Sequence, residues 1–193
     1  MFLPLALTIL FITVRERADL PKMMEKNPPP LRHAPRHLWP WLTLPASLTA
    51  ALQRAYGKTY PVTALLLGSG RRKANPTERC ILHLHRGAHI FWREVALHGG
   101  DAGRPAIWAM TSIPLAGLRH GLLPLTHHGS RPIGNTLFRH RRLRRSPIVL
   151  ATRPRFGQRT WQRRSILRRG NTGVLVEEHF LVDMPRWAGR GHR

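Results

Sequence analysis

Val174-Leu175-Val176-Glu177-Glu178-His179-Phe180-Leu181-Val182 reads as a β-strand that carries a carboxylate among its apolar residues. Successive strand side chains point to opposite faces. Glu178 therefore shares a face with Val174, Val176, Phe180 and Val182, and Glu177 takes the other face. The pattern recurs upstream in Phe91-Trp92-Arg93-Glu94-Val95-Ala96-Leu97, where Arg93 lies with Phe91, Val95 and Leu97. A buried charge costs several kcal/mol unless it is paired. Three readings stay open: Arg93 and Glu178 pair with each other, they line an enclosed pocket for a polar ligand, or the register is off by one residue.

Working outward, Tyr60–Leu67, Cys80–His85, Ile90–Leu97, Pro105–Ile113, Ile148–Thr152, Thr160–Leu167 and Val174–Val182 are strand-like. Ser47 is placed to cap a short helix, Leu48–Tyr56, with Gly57 as its stop. Pro114–Leu125 and Gly134–His140 have room for helical turns, and Gly68-Ser69-Gly70-Arg71-Arg72-Lys73 reads as a loop. Mostly antiparallel strands with short helices describe an α+β domain. Residues 1–37, which include Pro28-Pro29-Pro30, read as an amino-terminal extension outside the core. Residues 38–187 form the domain, and 188–193 a basic tail.

The chain of 193 residues has a formal charge of +23, from 32 Lys and Arg against nine Asp and Glu. That balance points to nucleic acid, anionic lipid or an anionic small molecule as partner. The single Cys80 excludes an intramolecular disulfide and a cysteine-based zinc cluster. The apolar start, Met1 to Val14, is shorter than the roughly 20 residues a spanning helix needs. It leaves a peripheral membrane contact open. A start at Met23 or Met24 is the other reading.

Among the nine carboxylates, Glu178 is the best placed for chemistry. Arg93 offers the planar fork that binds a carboxylate bidentately. His83-x-His85 and His127-His128 lack a third metal ligand, so structural roles suit them better. Arg139-His140-Arg141-Arg142-Leu143-Arg144-Arg145 is the densest basic run, but it lacks the interleaved aromatics or recognition helix of a nucleic-acid site. Its expected place is a peripheral connecting segment.

In order, Ser47-Leu48-Thr49, Trp92-Arg93-Glu94-Val95, Arg131-Pro132-Ile133-Gly134-Asn135-Thr136-Leu137-Phe138, Trp161-Gln162-Arg163-Arg164-Ser165, Gly170 and Glu177-Glu178-His179-Phe180-Leu181 are similar to segments of the chorismate pyruvate-lyase family. The resemblance implies a six-stranded antiparallel sheet with an enclosed ligand site beneath helical flaps. It implies conversion of chorismate to 4-hydroxybenzoate and pyruvate in ubiquinone synthesis, with no cofactor and no metal. Carried over by motif, Arg93 holds the ring carboxylate and the backbone at Ile133 contacts the same end. Glu178 hydrogen-bonds the oxygen across the ring, as a general acid if an apolar pocket raises its pKa, and Leu48 covers the site. The Gly170-to-Glu178 stretch is one residue longer than in the family, which keeps Glu177 as a rival to Glu178.

Chorismate is then the expected partner of a cytoplasmic monomer, and nucleic acid is not. The alternatives are a basic nucleic-acid-binding protein using the Arg139–Arg145 run, and a member of the fold that binds an aromatic acid without turnover.

Overall fold

The computed structural model describes residues 29–100, 104–127, 144–155, 157–169 and 172–189. Single helical turns at Leu31–His33 and Arg36–Leu38 lead into α1 (Trp39–Leu42) and α2 (Leu48–Tyr56). The Ser47 hydroxyl accepts from the Ala50 N–H at 3.2 Å, and Gly57 ends α2 at φ +76°. These satisfy orphan groups at both ends of the helix. Ala34 is buried, and Leu31 packs against the same core, so the packed body reaches upstream of residue 38.

One antiparallel sheet organises the rest. Its strands are β1 (Val62–Lys73), β2 (His89–Gly99), β3 (Ile107–Pro114), β4 (Arg144–Arg145), β5 (Val149–Arg155), β6 (Gln158–Arg169) and β7 (Thr172–Phe180). The order is β1-β2-β3-β7-β6-β4, with β5 also paired to β6. Strands β4 and β5 sit end to end on one edge of β6, β4 opposite Arg168 and Leu167 and β5 opposite Arg164 to Gln158. The seven strands therefore fill six positions across the α+β sheet.

Two local expectations fail for identifiable reasons. Cys80–His85 is not a strand, because Asn75, Pro76 and Glu78 start a helix, α3 (Pro76–Leu82), through a complete capping box. Asn75 Oδ1 accepts from the Glu78 N–H at 2.8 Å and Glu78 accepts from the Asn75 N–H at 2.9 Å. His83 then closes α3 in the left-handed region at φ 53°, so His83 and His85 do not share a strand face. Residues 68–73 are not a loop either. They continue β1 past a register shift between Leu66 and Gly68, and the Trp92 ring on β2 lies over Gly68. A Cβ at Gly68 would stand 2.8 Å from that ring, closer than packed carbon atoms approach.

The α1–α2 layer and the helical run after β3 cover one face of the sheet, whereas α3 lies on the other, where Glu78 accepts from Ser112 Oγ at 2.7 Å. Leu38, Trp41, Leu42, Leu48, Ala51 and Leu52 pack with Ala64, Val95, Leu97, Ile107, Ala109 and Phe180 at one end. A helical run after β3, Leu115–Gly117, Leu118–Leu122 and Leu123–His127, supplies Leu118, Leu122 and Leu125 to a second cluster at the other end. There they meet Phe91, Ile113, Leu167 and Val174.

The opposite face is polar and closes on itself. Glu94 accepts from Trp108 Nε1 at 2.8 Å and from Arg155 at 3.0 Å, and Arg155 stacks over the Trp108 ring. Trp108 meets the His179 ring edge-on, and Thr160 Oγ1 lies 3.0 Å from His179 Nδ1. Burial, reinforced by Arg155 and Arg153, pushes the His179 pKa down to about 3 from 6.5. The unfolded chain therefore binds a proton that the folded chain refuses, and stability falls as pH drops below about 6.5. Each pH unit costs up to about 1.4 kcal/mol. Thermal unfolding of wild type and His179→Gln at pH 7 and pH 5 checks this. The wild type should lose about 2 kcal/mol more than the variant over that interval.

Candidate active site

Register places the charged residues of the inner face in two adjacent rows. Arg93 lies opposite Thr111, Thr111 opposite Val176, and Val176 opposite Ser165. One step along, Val95, Ala109, Glu178 and Arg163 form the next row. These rows run between the two apolar clusters, so the polar band is walled by packed side chains at both ends. Arg93 is buried, and desolvation pulls its pKa down to about 10, which leaves it charged at neutral pH. Glu178 is also buried and lies on this face. Glu177 is on the other face, 3.9 Å from Arg164 and accepting from Gln162 Nε2 at 3.2 Å. Its pKa is raised by burial, against the pull of Arg164.

The ion-pair partner of Glu178 is Arg163, two strand positions beyond β3 and not singled out by the sequence pattern. Arg163 Nε donates to Glu178 Oε2 at 2.5 Å, and the side chain has no exposed surface. Its Nη1 donates to the Trp41 carbonyl at 2.7 Å and to the Leu44 carbonyl at 2.9 Å. One guanidinium thus fixes the carboxylate and ties the segment after α1 to the sheet. The apolar surroundings expected for Glu178 are instead a charged partnership, and at Oε2 the group is a hydrogen-bond acceptor. This leaves Oε1 to address a ligand. Arg163 could have been found in the sequence, because it alternates with Trp161, Ser165 and Leu167 as Glu178 does with its valines.

The basic run also departs from its expected place. Arg144 and Arg145 form β4, and Arg145 pairs opposite Leu167, on the same face as Arg163 and Ser165. Its Nη1 donates to Ser165 Oγ at 2.5 Å. Desolvation lowers its pKa to about 10, offset by Glu178 and deepened by Arg163. Arg145 is part of the charged band and not a peripheral residue. Leu48 is buried as the first residue of α2, in the cluster that includes Val95 and Ala109. Ile133 and residues 139–143 lie outside the described residues.

The model of the chorismate lyase family matches residues 23–189. The chain belongs to the chorismate lyase family. A probable chorismate pyruvate-lyase of Azoarcus sp. (strain BH72) is 37% identical over 170 residues, covering 79% of this chain and 87% of the relative. Another, from Chromohalobacter salexigens, is 36% identical over 154 residues, covering 76% and 81%. Among solved structures, the C-terminal domain of the histidine utilization repressor from Pseudomonas syringae pv. tomato aligns with a TM-score of 0.50 at 11% identity. That alignment covers 68% of this chain and 99% of the domain. PhnF from Mycobacterium smegmatis aligns at 0.50 with 13% identity, over 70% of this chain and 64% of that one. These two likenesses show a shared sheet architecture.

Within this chorismate lyase chain, no group of three or more His, Cys, Asp or Glu side chains among the described residues is placed to hold a metal ion. No described helix is long and apolar enough to cross a membrane. The Arg163–Glu178 pair makes a direct prediction about stability. Arg163→Met leaves a buried carboxylate unpaired and should cost about 3–5 kcal/mol in urea denaturation. Combining it with Glu178→Leu should cost less than the sum of the single losses by about 1–3 kcal/mol. Strict additivity would show that the two groups do not act as a pair.

Proposed function

We propose that this chain converts chorismate to 4-hydroxybenzoate and pyruvate without a cofactor, the first committed step towards ubiquinone. The observation that carries the reading is the placement of Arg93 and Glu178 on one buried sheet face between two apolar walls. Strand and residue spacings put their Cα atoms about 12 Å apart. Two long side chains at that separation can converge on opposite ends of a para-substituted ring. Arg93 takes the ring carboxylate through its fork. Glu178, held by Arg163, accepts a hydrogen bond from the hydroxyl at C4 through Oε1. Leu48 covers the ring from α2, and the backbone at Ile133 adds a contact at the carboxylate end.

The chemistry asks little more of the protein than position and charge. The C3–O bond breaks, hydrogen leaves C4, and the methylene carbon of the enolpyruvyl group gains a hydrogen. Ring and pyruvate then balance without a co-reactant. Aromatisation supplies the driving force, so catalysis rests on orientation and on stabilising negative charge at the departing ether oxygen. The role for Glu178 is accordingly positional rather than the general acid expected from an apolar pocket.

Incubating the purified chain with chorismate should yield equal amounts of 4-hydroxybenzoate, read by chromatography, and pyruvate, read by coupled reduction to lactate. A folded chain that yields neither overturns the reading. Arg93→Ala should lower kcat/KM by about 30-fold or more, with partial recovery in Arg93→Lys, whose ammonium cannot reproduce the fork. Glu178→Gln should cut turnover strongly and Glu177→Gln should leave it near wild type. The reverse order would move the site to the other face of β7.

A further inference from the structure

We propose that Arg145 binds the second carboxylate of the substrate, the one on the enolpyruvyl group that departs as pyruvate. The inference rests on the lyase reading above and adds the group that distinguishes substrate from product. Its first support is order across the sheet. Arg93 on β2, Glu178 on β7 and Arg145 on β4 share one face and lie in that sequence from one side to the other. Chorismate carries its charged and polar groups in the matching order: the ring carboxylate, then the hydroxyl and ether oxygens at C4 and C3, then the side-chain carboxylate. With Arg93 and Glu178 holding the para axis, the enolpyruvyl group on C3 leaves the ring to one side of that axis, next to the Glu178 end, from which it can reach toward β6 and β4.

The second support is the space beside Arg145. A cleft of about 360 Å³ lies between the segment after α1 and the β4–β5 edge. Leu42, Pro45, Ile148 and Leu150 give it apolar walls, and Arg145 is the one charged residue among its described lining. Arg145 also donates to Ser165 Oγ, in the row that contains Arg93. The guanidinium therefore stands where the cleft meets the charged band. An apolar recess with a single cation among its described lining residues suits a small planar carboxylate such as the enolpyruvyl group. Held there, the enolpyruvyl group would be kept in one orientation, and the same cation would face the negative charge that builds on its ether oxygen as the C3–O bond breaks.

Chorismate and 4-hydroxybenzoate separate this role from a structural one, because the product lacks the second carboxylate. Arg145→Gln should raise KM for chorismate about tenfold or more while 4-hydroxybenzoate binds, by calorimetry, within about twofold of wild type. Arg145→Lys should restore part of the loss in KM. Arg93→Ala serves as the contrast and should weaken both ligands. If Arg145→Gln loses both ligands equally while circular dichroism shows an intact fold, Arg145 only supports the pocket and the proposal fails. Unchanged KM in Arg145→Gln also overturns it and leaves the lyase reading standing. If wild type neither binds 4-hydroxybenzoate nor consumes chorismate, the lyase reading itself fails.

Discussion

Arg163 is the residue on which the architecture turns. A guanidinium keeps its charge at any physiological pH and presents donors in a fixed plane. Buried without exposed surface, it can be tolerated only where acceptors already stand at fixed positions. Here they are one carboxylate on β7 and two carbonyls, Trp41 in the last turn of α1 and Leu44 just after it. The requirement runs in both directions. Glu178 needs the cation to be buried, and the carbonyls at and just after the last turn of α1 need a donor. Satisfying all three at once sets the height and angle of the amino-terminal layer above the sheet. It also fixes the rotamer of the acid that faces the ligand.

The two faces of the sheet handle charge in opposite ways. On the outer face, Glu94, Glu177 and Glu78 are matched by Arg155, Arg164 and Arg72, so positive and negative groups pair locally. On the inner face, among the described residues, Arg93, Arg145 and Arg163 are buried or half-buried against Glu178 as their counterpart. Burying these guanidiniums costs hydration that their contacts must offset. Lowered pKa values at Arg93 and Arg145 record the same cost. A protein keeps such a cost where binding recovers it, since an anion entering the band regains the lost interactions in a site already shaped for it.

Much of this was legible in the sequence because β alternation is a strict geometric rule. Arg93 and Glu178 were picked out by it, and the structure places both on the buried face that alternation assigns. The helix Leu48–Tyr56 was equally clear from Ser47 and Gly57, whose capping chemistry is local. What escaped was of two kinds. Asn75-Pro76-Thr77-Glu78 carried an explicit helix start, but the apolar residues after it outweighed it in a strand reading. Arg145 escaped because a short strand gives too few residues for alternation to show, and because a dense basic run invites a surface interpretation. Strand pairing to β6 is a tertiary fact, and that pairing turns Arg145 inward.

The formal charge of +23 and the inner arginines then have separate work to do. Exposed charge acts through a field that salt screens over about 8 Å, so it can draw an anion toward the molecule but cannot orient it. Orientation needs donors at fixed positions in a low-dielectric site, where screening by mobile ions is weak. Among the described residues the inner face carries Arg93, Arg145 and Arg163 with Glu178, so on the proposed reading the two ends of a dianion would meet guanidiniums held on different strands.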